Sequence, residues 1–189
     1  MPRPPDVVPV ALEHAYRLIN HGPTVLVSTR HGDRANLMAA AWNMPLDFSP
    51  PKVAVVIDAR TLTRELIEGS GAFVLAVPVA AQWQAVLQAG QTSGRDRDKW
   101  HAPDWPAFAG DHVDAPLPSG CVAWLECRCL SEPEMARKYD LFLADVVAAW
   151  ADRRWFRDGR WHLAGPDAPR MLHHIAAGHF FTTGGEPIA

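Results

Sequence analysis

Thr24-Val25-Leu26-Val27-Ser28-Thr29, and after it Asn36-Leu37-Met38-Ala39-Ala40-Ala41-Trp42, carry the pattern that decides the fold. The first run is rich in β-branched residues, which suit a pleated surface, and reads as a strand. Gly32-Asp33 supplies the turn chemistry of a hairpin. The returning strand is expected from Ala35 to about Met44. Ser49-Pro50-Pro51 breaks it, because proline donates nothing to a ladder. Lys52 to Asp58 is Val-rich and reads as a buried third strand. Thr61 to Glu68 has helical spacing, with Leu62, Leu66 and Ile67 apolar, and Gly69 and Gly71 end it. Ala72 to Val77 is a further strand, closed by Pro78.

Outward from this block the pattern loosens. Met1 to Val10 is a Pro-rich lead-in. A short helix is expected from Leu12 to Ile19, closed by His21-Gly22-Pro23. Ala80 to Gln88 reads as a helix with Trp83 and Leu87 on one face. Gly90 to Ala115 is polar and irregular, and a loop of that length is often functional. Gly120 to Leu130 and Asp140 to Trp150 read as strands, the second despite its alanines. Arg154 to Trp161 reads as a hairpin around Asp158-Gly159. Pro169 to Ala177 is expected to form a last helix before Gly178. No GxGxxG or GxxxxGK[ST] occurs, so neither a Rossmann nor a P-loop fold is supported. The elements fit one mostly β domain, residues 1–189 with 1–10 as lead-in, built as an antiparallel barrel with added helices.

Composition narrows the function. The chain has 189 residues, 48% hydrophobic and 21% charged, with a formal net charge of -3. That is ordinary for a globular protein. No Lys/Arg stripe suggests nucleic acid. No apolar run is long enough to span a bilayer, and the N-terminus lacks the form of a signal peptide, so no membrane association is expected and the cytoplasm is the expected location. The cysteines, Cys121, Cys127 and Cys129, are three and lack a CxxC pattern. Buried small side chains are the simpler reading, with Cys127 and Cys129 on one strand face. His173-His174 and His179 invite a metal, yet adjacent helical residues do not share a face and no zinc spacing exists. No metal site is expected. No GxSxG elbow or paired carboxylates announce a hydrolase.

The opening runs continue in order through Ser49-Pro50-Pro51, Val53-Ala54-Val55, Arg60-Thr61-Leu62-Thr63, Glu65-Leu66-Ile67 and Phe73-Val74-Leu75-Ala76-Val77-Pro78. Weaker matches follow at Ser93-Gly94-Arg95, Asp98-Lys99-Trp100, His173-His174-Ile175 and Gly178-His179-Phe180-Phe181. In order and spacing, these resemble the flavin reductase-like, FMN-binding split-barrel family (flavoredoxin-like). The resemblance implies an antiparallel, Greek-key-like split β-barrel. It implies non-covalent flavin mononucleotide (FMN) at the interface of a homodimer. It further implies a reduced nicotinamide, NAD(P)H, as co-substrate, and delivery of electrons to free flavin, oxygen, an acceptor protein or an oxygenase.

FMN asks for a phosphate cradle, a flat slot and partners for the polar ring edge; the cofactor brings the electron chemistry. Arg60, Thr61 and Thr63 stand where a strand gives way to a helix, whose first N–H groups favour an anion. Thr61 could equally be a plain N-cap, and the resemblance favours phosphate, above all for Thr63. Lys99 is a second charge candidate, or a solvated lysine. Asn36, Trp42 and Asn43, with the backbone of Ala39, Ala40 and Ala41, are candidates for the ring. Asn36 could instead be a turn residue, and Trp42 a core residue. Three successive alanines are poor strand formers, a local conflict that marks a site. Phe180 joins the cofactor set by resemblance only. No catalytic residue is assigned. A non-enzymatic FMN-binding carrier or sensor, and an interaction scaffold without cofactor, are the alternatives.

Overall fold

The computed structural model describes residues 1–100 and 105–184. Its strands are β1 (Val7–Pro9), β2 (Val25–His31), β3 (Arg34–Ala40), β4 (Asn43–Phe48), β5 (Pro51–Val56), β6 (Ala72–Val77), β7 (Ala107–Ala109), β8 (Pro116–Pro118), β9 (Ala123–Cys129), β10 (Leu141–Asp152), β11 (Phe156–Arg157), β12 (Arg160–Trp161), β13 (Leu172–Ala176) and β14 (His179–Thr182). The α-helices are α1 (Leu62–Ser70), α2 (Trp83–Gln91) and α3 (Pro133–Tyr139). Eight strands form one antiparallel sheet in the order β3-β2-β6-β9-β10-β5-β4, with β1 added against β10. Its two ends, β3 and β4, are consecutive in the chain and do not pair with each other. The sheet is therefore curled but open, a split barrel.

The inner face packs Val25, Val27, Val53, Val55, Phe73, Leu75, Leu125 and Cys127 into one core. The outer face of β2, β3, β6 and β9 buries Leu26, Leu37, Val74, Ala76 and Trp124 beneath α2 and the 105–117 segment. Strands buried on both faces read as continuous apolar runs, which is why Thr24–Thr29 and Phe73–Val77 do not alternate. Most apolar residues between Val122 and Trp150 also lie in these two cores. Large apolar side chains left exposed include a run on β4 and the link before it, where Trp42 is 75% exposed and Phe48 65% with Met44 between them, and single residues elsewhere such as Tyr139, Ile175 and Phe181.

Helix α1 begins and ends as its sequence dictates. Thr61 caps it, its Oγ1 accepting from the Arg64 N–H at 3.2 Å. Gly71, at φ 68°, ends it with an N–H bond to Ile67 O. Left-handed backbone of this kind favours glycine. Arg64 is buried and reaches Glu68, the carbonyls of Ile57 and Ala136, and Asp140 Oδ1 at 2.9 Å. It thus joins α1, α3 and the end of β5 through one guanidinium.

Several sequence expectations need correction. The strand expected from Ala35 to Met44 is two strands. Ala40 pairs with Val25, the first residue of β2, so the partner runs out there. The chain crosses to β5 instead, and Val56 N–H donates to Trp42 O. The helix expected over Leu12–Ile19 is a 3-10 helix, Leu12–Leu18. The helix expected over Ala80–Gln88 starts as a 3-10 turn, Ala80–Gln82, and continues as α2. It buries Val86 and Ala89, while Trp83 is 46% exposed. Helix α3 was not anticipated; Pro133 opens it and Asp140, at φ 55°, closes it. The helix expected over Pro169–Ala177 is strand β13, paired with β14. Ala177 at φ 49° and Gly178 at φ 81° form the turn. Two successive left-handed residues end a hairpin, not a helix. The lead-in is not wholly outside the sheet, since Val7–Pro9 pairs with β10. The long Gly90–Ala115 segment opens with the end of α2 and contains β7; its residues 101–104, like 185–189 of the Gly178–Ala189 tail, lie outside the described residues.

Buried polar groups hold the loops. Glu126 is fully buried, and its carboxylate accepts from the N–H groups of Asp111, His112 and Val113 and from Trp150 Nε1. Glu126→Ala would leave those donors without an acceptor, at a cost of about 3 kcal/mol or more. Urea unfolding is expected to show that loss, with Glu126→Gln intermediate. A second device pins the β13–β14 hairpin. His21 packs edge-on to His173, ring centroids 5.5 Å apart, and His173 stacks on Phe181 at 5.0 Å. Burial, with the neighbouring His173, lowers the His21 pKa from 6.5 to about 4. Between those values the unfolded chain binds a proton that the folded chain refuses, so stability falls as pH drops through this window. His21→Phe should flatten that dependence in urea melts taken across it; an unchanged slope would count against the assignment.

Candidate flavin site

The split between β3 and β4 opens into a pocket of about 490 Å³. One wall is the end of β3 and its link, from Met38 to Trp42. Phe180 and His174 of the hairpin also line it, as do Val86, Leu87, Gly90 and Gln91 of α2. Val56 and Asp58 close the end nearest α1, beside Asp140. Small side chains at Ala39 and Ala40 let a flat group approach the strand, and a Cβ on Gly90 would meet Ala39 Cβ at 3.5 Å. Helix α2 and strand β3 therefore lie close at this point. Other hollows of similar size occur. This is the one on which the residues singled out from sequence converge.

Five of those residues line it: Ala39, Ala40, Ala41, Trp42 and Phe180. Trp42 is not a core residue, as its exposure shows. Asn43 sits just behind, its Nδ2 donating to Pro23 O at 2.9 Å, which fixes the link. Thr61 is the N-cap of α1 and also donates to Asp58 O at 2.9 Å. Its hydroxyl proton is thereby committed within the protein. The first-turn N–H groups of Leu62 and Thr63 have no intrahelical partner. Arg60 grips Asp58 with Nε at 3.0 Å and Nη2 at 2.8 Å. That pair draws the Asp58 pKa down to about 2. Both side chains remain open to solvent, so the pair adds little to stability.

Asn36, Thr63 and Lys99 do not line the pocket. Asn36 Nδ2 donates to Thr63 Oγ1 at 2.8 Å, with both residues buried. A Cβ on Gly94 would come within 2.1 Å of Asn36 Oδ1, so the 93–99 loop can close over Asn36 only with glycine there. Lys99 is buried, not solvated, and Nζ donates to Leu37 O and Ala89 O at 2.7 Å each. Burial lowers its pKa to about 8. These groups tie β3 to α1, α2 and the 93–99 loop and set the position of the alanine wall.

Sequence reasoning missed His174, because it placed that residue on a helix. It also missed the contribution of α2 and of Asp58 and Asp140. The Ala177-Gly178 pair was the available signal for a hairpin turn. Cys121 and Cys127 are buried and Cys129 is partly so; burial raises all three thiols, Cys129 to about 11. Thiolate chemistry has no support there. Among the described residues no group of three metal-ligating side chains occurs, and no helix is long and apolar enough to cross a membrane.

Comparison with known proteins gives the family. Residues 17–164 match the model of the flavin reductase like domain. The chain is 44% identical over 180 residues to the uncharacterised Escherichia coli protein YddH, covering 94% of this chain and 95% of that one. It is 28% identical over 158 residues to an NADH-dependent FAD reductase of Streptomyces globisporus, covering 80% and 85%. Among solved structures, the FMN-binding domain of a flavin reductases-like enzyme from Shewanella baltica superposes with a TM-score of 0.92 at 46% identity, covering 97% of each chain. The sheet, the split and the matched residues together make this chain a member of the flavin reductase-like family.

Proposed function

We propose that the pocket holds FMN non-covalently and that the chain is an oxidoreductase that accepts hydride from NAD(P)H. The observation that carries this reading is the slot between the Ala39–Trp42 wall and Phe180, which ends beside the start of α1. Its volume is in the range of cofactor sites. The backbone of Ala39 to Ala41 would lie against the ring, with Trp42 and Phe180 as walls. Arg60 and the free N–H groups of Leu62 and Thr63 would hold the phosphate. Asn36, Lys99 and the Thr63 hydroxyl would act on the cofactor by holding the wall. Bound FMN supplies the electron transfer; the residues bind, orient and shield it. Nicotinamide as donor is supported by the similarity to the Streptomyces NADH-dependent FAD reductase. A non-enzymatic carrier remains the second reading, favoured by the lack of a recognisable nicotinamide motif.

A homodimer belongs to the same proposal. Met44 and Phe48 alternate outward along β4, an edge strand, and continue the exposed face of Trp42. An apolar edge of this kind calls for cover.

The purified protein is expected to bind FMN, with quenched flavin fluorescence, and to oxidise NADH or NADPH. Bound FMN without turnover would leave the carrier, and no binding would remove both readings. Arg60→Ala should weaken FMN about tenfold, the loss of one charge-assisted contact, without lowering the melting temperature of the cofactor-free protein. Thr63→Val should lower both, because it strands the buried Asn36 amide. Light scattering should give twice 20.8 kDa, and Phe48→Glu should yield the monomer.

A further inference from the structure

The β13–β14 hairpin is a two-stranded sheet of its own, hydrogen-bonded to the rest of the molecule at one end. At that base the Thr24 N–H donates to Leu172 O at 2.7 Å, and Thr24 Oγ1 accepts from the His174 N–H at 2.8 Å. His173 Nδ1 meets Gly22 O at 2.9 Å. Met171 and Leu172 are buried, and Met171 bridges to Val79. Beyond His174 the fastening stops. Across residues 175–182, among the described residues, no hydrogen bond reaches another element. The Gly178 N–H turns back to His174 Nε2 at 3.3 Å, within the hairpin. Ile175 and Phe181 are exposed.

This outer half lies against the pocket. Gly178 and Phe180 line it, and Phe180 packs on the core beneath α2. A Cβ on Gly178 would come within 3.0 Å of Leu87 Cδ1, so the turn rests on α2. Lifting the outer half therefore separates packed surfaces but breaks no hydrogen bond to the body. The place where it would bend is marked. Pairing passes from His174 and Phe180 to Ala176 and His179, and Ile175 bulges out between them. A bulge bends its strand and interrupts the ladder. Segments with few directed bonds open well below the energy of global unfolding, and the lids of binding sites are drawn from them.

Resting on the flavin reading above, we propose that residues 175–182 form a lid over the flavin slot, hinged at the Ile175 bulge and closed in this structure, and that FMN enters and leaves only when it lifts. The lid then decides whether flavin is retained between turnovers or exchanged with free flavin. Closed, it also keeps water from the slot. Such a gate acts on passage. It changes the rates of entry and release together and leaves the affinity in place, whereas a wall that only makes contacts changes the affinity.

The test locks the lid. Leu87→Cys with Gly178→Cys sets two thiols where the turn meets α2, and the first change removes the methyl groups that a Cβ at 178 would crowd. Stopped-flow flavin fluorescence follows FMN binding and release by the oxidised and the dithiothreitol-reduced double variant. Oxidation should slow both rates about tenfold or more and keep Kd within about threefold. Rates within about twofold of each other in the two forms would overturn the lid. Gly178 is left-handed, at φ 81°, so cysteine there is strained. Hydrogen exchange of the parent gives a second reading that needs no substitution. Without FMN, the amides of residues 175–182 should exchange at least about tenfold faster than those of β6, and added FMN should slow them. Exchange as slow as in β6 would overturn the lid, whether or not the disulfide forms. FMN bound by the parent but exchanged freely through the locked form would remove the lid and leave the flavin reading standing. A parent that binds no FMN would remove both.

Discussion

Only two residues, Ala41 and Trp42, separate the strands that form opposite ends of the main sheet. That connection constrains everything around it. A sheet whose ends are tied so closely must curl, and the right-handed twist of strands supplies the curl. It need not close, because Ala40 already uses the last of β2 and Asn43 begins a new pairing with β5. The remaining gap would expose backbone and core. Here α2 and the β13–β14 hairpin flank it, and between them they leave the pocket. The site is thus a consequence of how the barrel fails to close.

The alanine wall needs support from behind, since small side chains provide little packing of their own. Buried polar bonds supply it. Lys99 spans the carbonyls of Leu37 and Ala89, one on β3 and one on α2. Asn36 and Thr63 join β3 to α1. Each bond is modest in net terms but costly to leave half made. The wall is therefore held with less freedom than alanines alone would give it. Such pre-organisation lowers the entropy lost when a rigid ring binds.

Much of this was legible in sequence, and the limits have physical causes. β2, β6 and α1 were visible because β-branched runs, a Thr cap and a Gly end act locally. Ala39–Trp42 stood out because alanines in a strand contradict propensity. The division of Ala35–Met44 into two strands was not visible, because it depends on where β2 ends in space. The last hairpin was misread because Leu172–Ala176 has no strong strand formers besides Ile175. Its register comes from Thr24 and from the Ala177-Gly178 turn, a long-range and a two-residue signal respectively. Lys99 and Asn36 were found as residues, yet their bonds could not be read from one dimension.

The start of α1 shows how a helix can be capped and still keep backbone donors unused. A capping hydroxyl and a phosphate compete for the same donors if both address N2 and N3. Here Thr61 Oγ1 takes the Arg64 N–H and gives its own proton to Asp58 O. It satisfies the third helical N–H and leaves the first two. Those two, with the charge of Arg60 beside them, are the kind of groups an anion requires. Asp58 pairs with Arg60 and offsets its charge. The cap therefore does not stand in place of phosphate binding. By consuming one donor and aligning the others, it decides which backbone groups that function would use.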